Sequence, residues 1–356
     1  MNRPDESLIR DEDLLAELEA ARGNSLFLAI ANTIISRQQR RDQERAADAM
    51  KAQALAALPR ERRRRAVIRE VFENSPPSLA DVRHIHSVLA VVGLPHERQA
   101  AGVREYVRTQ GNMGIIVQAG TTLDETGRAV HHQLPFGPKA RLVLMHLCSE
   151  AIRQKSATVE IADTFTGFVR DMGFSDSGGR KGPLTAFREQ LNALATCSMR
   201  ISAFAPGSLK TKQFFPIEDM EVWLSSDPNQ RSLWPSTVTF SPTMFESLSK
   251  HALPVNAKVV KAFAGSSRKL DLYFWLGWRI HNIDQPLHLS WEAVTQQFGD
   301  GFARPRAFRA KFAEEVSHLK EVLPKLPLKL TERGLTLSPA DPDALALPAQ
   351  RTLIRR

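Results

Sequence analysis

Two groups of residues in this sequence have the types and spacing to do chemistry, and they point to different kinds. The first is His84-Ile85-His86. A His-hydrophobe-His triplet on a strand sends both imidazoles to one side, and nicking enzymes use it to hold a divalent metal beside a tyrosine nucleophile. This chain has two tyrosines, Tyr106 and Tyr273, and neither has a lysine three residues on. The surrounding LADVRHIHSVLAVVGL reads as an amphipathic helix, on which positions i and i+2 diverge, so no metal is expected there. The second group is Arg304, Arg306, Arg309 and Lys311. They open a segment whose Phe308, Phe312, Val316, Leu319 and Leu323 step by four, four, three and four, which is one face of an α-helix. The stripe must face a core. The cations on the other side are then free for phosphates and for guanine O6 and N7, and acidic residues begin only at Glu314.

The elements around the second group have a recognisable order. LDLYFWLGWRI (270–280) is a helix, LHLS a strand and WEAVTQQFG a helix, and the cationic helix follows. LKL (328–330) and LTL (335–337) then flank a turn at Glu332, Arg333 and Gly334. Helix, strand, helix, helix, hairpin is the order of a winged helix-turn-helix, whose third helix enters the major groove; Arg333 at the wing tip joins the candidates. The same order precedes it. Pro138 starts a helix, ATVEI is a strand, TFTGFVRDM stops at Gly173, and Pro183 opens a helix with Leu184, Phe187, Leu191 and Leu194 on one face. MRISAF and KQFFPI form a wing around Pro206-Gly207, and GIIVQAG with GRAVHHQL reads as a further hairpin. Here Ser177, Arg180, Lys181 and Arg188 are the corresponding DNA contacts. At a constant offset of 128, Leu142 falls on Leu270, Leu144 on Leu272, Val159 on Leu287 and Gly173 on Gly301. The expected fold is α+β, mainly α with small β hairpins, built as tandem winged-helix domains. The divisions are 1–74, 75–265, 266–340 and a flexible tail at 341–356.

Composition narrows the partners. A net charge of +9 in 356 residues attracts polyanions. Residues 1–24 are acidic, SLFLAIANTII is a short buried or docking helix, and residues 37–69 carry eleven basic against four acidic side chains. A solvated helix face and non-specific phosphate contact both fit that run. Cys148 and Cys197 fall in apolar patterns and read as buried reduced thiols. There is no zinc-type cluster, no GxxxxGK[ST] phosphate loop and no run of 18 apolar residues. No cofactor, no catalysis, no membrane contact and a bacterial cytoplasmic location are expected.

Several longer runs resemble a known family. LPFGPKARLVLMHLCSEAIR, SGGRKGPLTAFREQL, LWPSTVTFSPTMFESL, LDLYFWLGWRI and WEAVTQQFG are similar to those of plasmid-encoded RepA-type replication initiators, over roughly residues 75–340. The resemblance implies a protein that binds double-stranded origin DNA at repeated sites, helps to open it, and recruits host replication proteins, the initiator and helicase; a homodimer is a further expected partner, since one winged unit of a tandem can serve dimerisation. It implies no catalytic residues. A winged-helix transcriptional repressor and a nicking initiator using the His-Ile-His site are the alternatives.

Overall fold

Residues 5–124, 126–161, 165–175, 182–220 and 237–348 are described in a computed structural model of the chain. The polypeptide divides into two units, Met1–Arg63 and Arg64–Arg356. The expected boundaries were 74/75 and 265/266.

In the first unit, α1 (Glu12–Ala20) lies on α2 (Phe27–Ala57). Leu14 and Leu18 meet Ala31, Ile34 and Ile35, and Ile9 completes a small core. The SLFLAIANTII stretch does not end as a short helix. It runs on unbroken into the basic segment because no glycine or proline interrupts residues 27–57.

The second unit takes in most of α3 (Arg60–Asn74) and then β1 (Val82–His86), α4 (Ser87–Val92), β2 (Glu105–Gln110), β3 (Met113–Gln118), β4 (Thr121–Leu123) and β5 (Ala129–His131). Next come α5 (Gly137–Gln154), β6 (Thr158–Glu160), α6 (Phe165–Asp171), α7 (Pro183–Thr196), β7 (Ser198–Ala205), β8 (Ser208–Phe214), β9 (Ile217–Met220) and β10 (Thr237–Phe240). The chain continues through α8 (Pro242–His251), β11 (Ala252–Asn256), α9 (Ala257–Phe263), α10 (Ser267–Ile280), β12 (Leu287–Ser290), α11 (Trp291–Phe298), α12 (Pro305–Val322), β13 (Leu328–Thr331) and β14 (Gly334–Leu337). All described strand pairs are antiparallel, so the class is α+β. No described helix is long and apolar enough to cross a membrane.

Residues 82–92 correct the sequence reading. The expected single helix is the strand β1, paired with β11, followed by the short α4, whose first turn is capped by His86. Pairing with a segment 170 residues away overrides the local helical pattern. The expected hairpin over 113–133 is also divided. Only β4 and β5 pair across its turn, while β3 is claimed by β2 and β7.

The offset-128 repeat survives at the level of elements. Leu142 and Leu144 of α5 and Leu270 and Leu272 of α10 are all buried. Gly173 and Gly301, each after the second helix of its set, have φ of +76° and +83°, which favours glycine. The sheets differ. In the later set β12 pairs with β14, which pairs with β13. In the earlier set β6 pairs with β10, and the β7–β8 hairpin joins β2 and β3 in a four-stranded sheet.

Helices α5 and α10 are buried on nearly all sides and are joined by an ion pair. Arg141 Nε and Nη2 donate to the two carboxylate oxygens of Asp271 at 2.5 and 2.6 Å. Nη1 donates to the Pro95 and Gly137 carbonyls, and Nη2 also to that of Leu94. Gly93, with φ +65°, is required beside this pair, because a Cβ there would lie 3.0 Å from both Asp271 Oδ2 and Arg108 Nη1. The expected tail is partly core. Leu345 and Leu347 are buried, Tyr273 Oη donates to the Leu345 carbonyl at 3.1 Å, and Asn256 Nδ2 donates to that of Ala346 at 2.7 Å. Residues 349–356 lie outside the described residues.

Replacing Asp271 by Asn keeps the shape and leaves a buried guanidinium without its counter-charge. The expected loss is about 3–5 kcal/mol in urea unfolding of the full chain. Acid should also destabilise the fold early. Burial holds the His86, His96 and His146 imidazoles down at about 4, so they are neutral when folded. The unfolded chain takes up those protons below about pH 6.5. Stability is therefore full above that pH and falls as pH drops towards 4, which a thermal-melt series across this window would read.

Candidate nucleic-acid interface

The later helix-strand-helix-helix-hairpin set presents one face of α12 to solvent. Its inner face is fixed by rings: Phe308 and Phe312 are 5.4 Å apart, Phe298 stacks on Phe312 at 5.4 Å, and Trp275 meets Phe298 edge-on at 5.5 Å. Phe308, Phe312 and Leu319 are fully buried, as the four-four-three spacing requires. That leaves Arg306, Ala310, Ala313 and Ser317 exposed along one line, with Arg309 beside them. Along that line the side chains past Arg306 are small, with Glu314 and Glu321 exposed to one side of it. A helix with such a face approaches another surface closely. Gly334 keeps the hairpin against β12, because a Cβ there would lie 2.0 Å from the Leu289 carbonyl oxygen.

The charges on α12 divide by end. Arg304, Arg306 and Arg333 are exposed, and their side chains have no hydrogen bond or ion pair to any described residue. Arg309 is exposed and its guanidinium lies over Trp291, 5.3 Å from the ring centroid. Lys311 departs from the expectation: it is half-buried and paired with Glu314 at 2.9 Å. Towards the carboxyl end the charges are taken up internally. Arg65 Nε donates to Glu321 at 2.7 Å, and Arg268 lies 3.5 Å from Glu315. Burial pushes the Glu315 carboxyl up, and its Oε2 has no hydrogen-bond partner. Lys329 on β13 is an exposed cation that the sequence reading missed. The alternation in LKL, with Leu328 buried, was the available signal.

In the earlier set, Ser177, Arg180 and Lys181 lie outside the described residues. Arg188 on α7 is only half exposed, and burial lowers its pKa. Of that set only Arg188 is described, and it is less exposed than Arg306 or Arg309. The basic run at 37–69 is likewise less available than its charge suggests. Within the first unit, Arg37 pairs with Glu17, Arg41 with Asp11 and Asp13, and Arg45 with Asp11, at 2.6–2.8 Å. These partners hold the Asp11 and Asp13 carboxyls below the usual range.

The His-Ile-His triplet does lie on a strand, β1, but the His86 ring is already engaged. Nδ1 accepts from the Val88 amide at 3.2 Å, and Nε2 faces Ser247 Oγ at 2.9 Å. Among the described residues no three or more His, Cys, Asp or Glu side chains could share a metal. Tyr273 is buried with both hydroxyl functions used, accepting from the Asn256 amide and donating to Leu345. Tyr106 donates to Asp300 at 3.3 Å. Cys148 and Cys197 are buried free thiols, pushed up to about 12 by burial.

Residues 134–293 match the family model of plasmid encoded RepA protein. This stretch is similar to the plasmid encoded RepA family. Two crystal structures are also similar to it: the selenomethionine form of domains 2 and 3 of RctB and a second structure of those domains. The first aligns at TM-score 0.47 and 12% identity, covering 68% of this chain and 87% of that one. The second aligns at 0.43 and 10%, covering 65% and 82%. No curated protein sequence matches the chain. The matched region begins just ahead of α5 and ends inside α11. It includes Arg141, Asp271, Trp291 and Arg188, and stops before Arg304.

The division of charges on α12 has a direct consequence for stability. Exposed arginines with no partner contribute nothing to folding, so Arg306→Ala or Arg333→Ala should stay within about 0.5 kcal/mol of the parent in urea unfolding. Arg65→Ala strips a half-exposed Glu321 of its partner and buried stem of its packing. It should cost about 1–2 kcal/mol.

Proposed function

We propose that this RepA-family chain is a plasmid replication initiator that binds double-stranded origin DNA through winged-helix units. In this reading α12 enters the major groove, β13 and β14 form the wing, and α7 is the corresponding helix of a first unit. The observation that carries it is the exposed amino-terminal half of α12: arginines without internal partners lead a line of small side chains, backed by a rigid aromatic core. Arg304, Arg306, Lys329 and Arg333 contact phosphates. A bidentate arginine on guanine supplies about 1–3 kcal/mol of discrimination. Opening the origin is then driven by binding energy and DNA bending. The host initiator and helicase are recruited to the opened site, and the chain acts as monomer or homodimer.

The protein is not an enzyme in this reading. A nicking mechanism needs a tyrosine free to attack and a histidine pair free to bind metal. The engaged ring of His86 and the buried, doubly bonded hydroxyl of Tyr273 both speak against it. A repressor would use the same surface and differ in its sites.

The test is footprinting of the purified protein on DNA next to its own gene, over a salt titration. Several regularly spaced protected repeats are expected. The variant Arg306→Glu/Arg309→Glu should lose specific protection while remaining folded, and each phosphate-contacting cation removed should lower the salt slope by about 0.9. One inverted site at a promoter would instead make the protein a repressor. A covalent adduct on supercoiled DNA that disappears in Tyr106→Phe would make it a nicking enzyme, and no protected site at all would overturn the proposal.

A further inference from the structure

Trp291 opens α11 and touches three parts of the candidate interface at once. The Arg309 guanidinium lies over its ring, 5.3 Å from the centroid. Its edge meets the Phe312 ring of α12 at 6.2 Å and an interplanar angle of 85°. Its Nε1–H donates to the Thr331 carbonyl at 3.2 Å. Thr331 is the last residue of β13, and its hydroxyl donates to the Gly334 carbonyl across the turn that carries Arg333. One indole is therefore packed on the helix and bonded to the hairpin.

We infer that Trp291 is a positioning residue that fixes Arg309 as the base-reading arginine and sets the spacing between α12 and the wing. The inference deepens the DNA-binding reading and rests on it. A guanidinium held over a ring by cation–π attraction needs none of its in-plane N–H donors for a hydrogen bond within the protein. A bidentate contact with guanine needs those in-plane donors, held in a fixed orientation. Arg309 has such a support and no hydrogen-bond partner of its own among the described residues. Arg306, three residues earlier, has neither stacking ring nor partner. It is suited to phosphate, a target that tolerates many side-chain directions. The indole N–H carries the second function. It holds the turn bearing Arg333, so that the wing and the helix meet DNA at one fixed separation.

The experiment compares Trp291→Leu, which removes the ring, with Trp291→Phe, which keeps an aromatic face and removes the N–H. Each full-length variant is titrated against the footprinted origin repeat and a scrambled duplex over a range of salt. Trp291→Leu should lose about tenfold in discrimination between the two duplexes, with binding to the scrambled duplex and the salt slope unchanged. In a double-mutant cycle, adding Arg309→Ala to Trp291→Leu should cost no further discrimination. Trp291→Phe should keep discrimination within about twofold and lose protection only at the wing end of the footprint. A merely structural ring would instead lower specific and scrambled binding together with the melting temperature, and that result overturns the inference. So does additivity of Trp291→Leu and Arg309→Ala. If Arg306→Ala abolishes discrimination and Arg309→Ala does not, the interface stands and this inference fails. If neither arginine matters, the DNA-binding reading of α12 itself fails.

Discussion

The second unit depends on one buried ion pair. Two charges taken out of water cost several kcal/mol each, and mutual attraction offsets this only if the remaining donors are also satisfied. Arg141 meets that condition: both Asp271 oxygens and the carbonyls of Leu94, Pro95 and Gly137 surround its guanidinium. The pair does something apolar contact between α5 and α10 cannot. Leucines and phenylalanines tolerate sliding, whereas a bidentate fork on a carboxylate has one geometry. Through the carbonyls of Leu94 and Pro95 it also fixes the chain just after α4, so α5 and α10 are set against each other by direction as well as by burial.

That constraint carries outward to the candidate interface in steps. Helix α10, held by Asp271, places Trp275, whose ring meets Phe298, which stacks on Phe312 of α12. The exposed arginines ride on the far side of the same helix. Towards its carboxyl end the charges are matched by Arg65 with Glu321 and Arg268 with Glu315, while Arg304, Arg306 and Arg309 at the amino-terminal end have no ion-pair partner among the described residues. Unmatched charge of one sign on a rigid support is what a polyanion requires. In the first half of the larger basic run at 37–69, Arg37, Arg41 and Arg45 lack this property, because Glu17, Asp13 and Asp11 pair with them.

What could be read from the sequence follows from how local each signal was. The α12 stripe was legible because five apolar residues at helical steps within one segment determine a buried face. Gly173 and Gly301 were legible as equivalent stops because a positive φ is a demand on a single residue. The strand β1 was not, since VRHIH becomes a strand only by pairing with Ala252–Asn256, and nothing within ten residues announces that partner. The same applies to β3, which pairs with β7 instead of the nearer GRAVHHQL. Lys311 failed for another reason. Its place on the helix was right, but Glu314, one turn on, competes for its charge. Trp291 was read only as a helix start, because stacking under Arg309 requires α11 and α12 to be folded together.

The RepA-family match adds a further division. It covers α5 to α11, with the buried fork of Arg141 and Asp271 inside it, and it ends before the arginines of α12. The part of the chain that matches the family model is thus mainly scaffold: apolar helices, paired strands and the ion pair that orients them. The outward side chains that would choose a DNA sequence sit just beyond it, on a helix whose inner face alone is tied to that scaffold. A face of this kind can change its exposed residues without disturbing Phe308, Phe312 or Leu319. The matched scaffold thus ends ahead of α12, and in the proposed DNA-binding reading the choice of sequence would fall to exposed side chains outside the match.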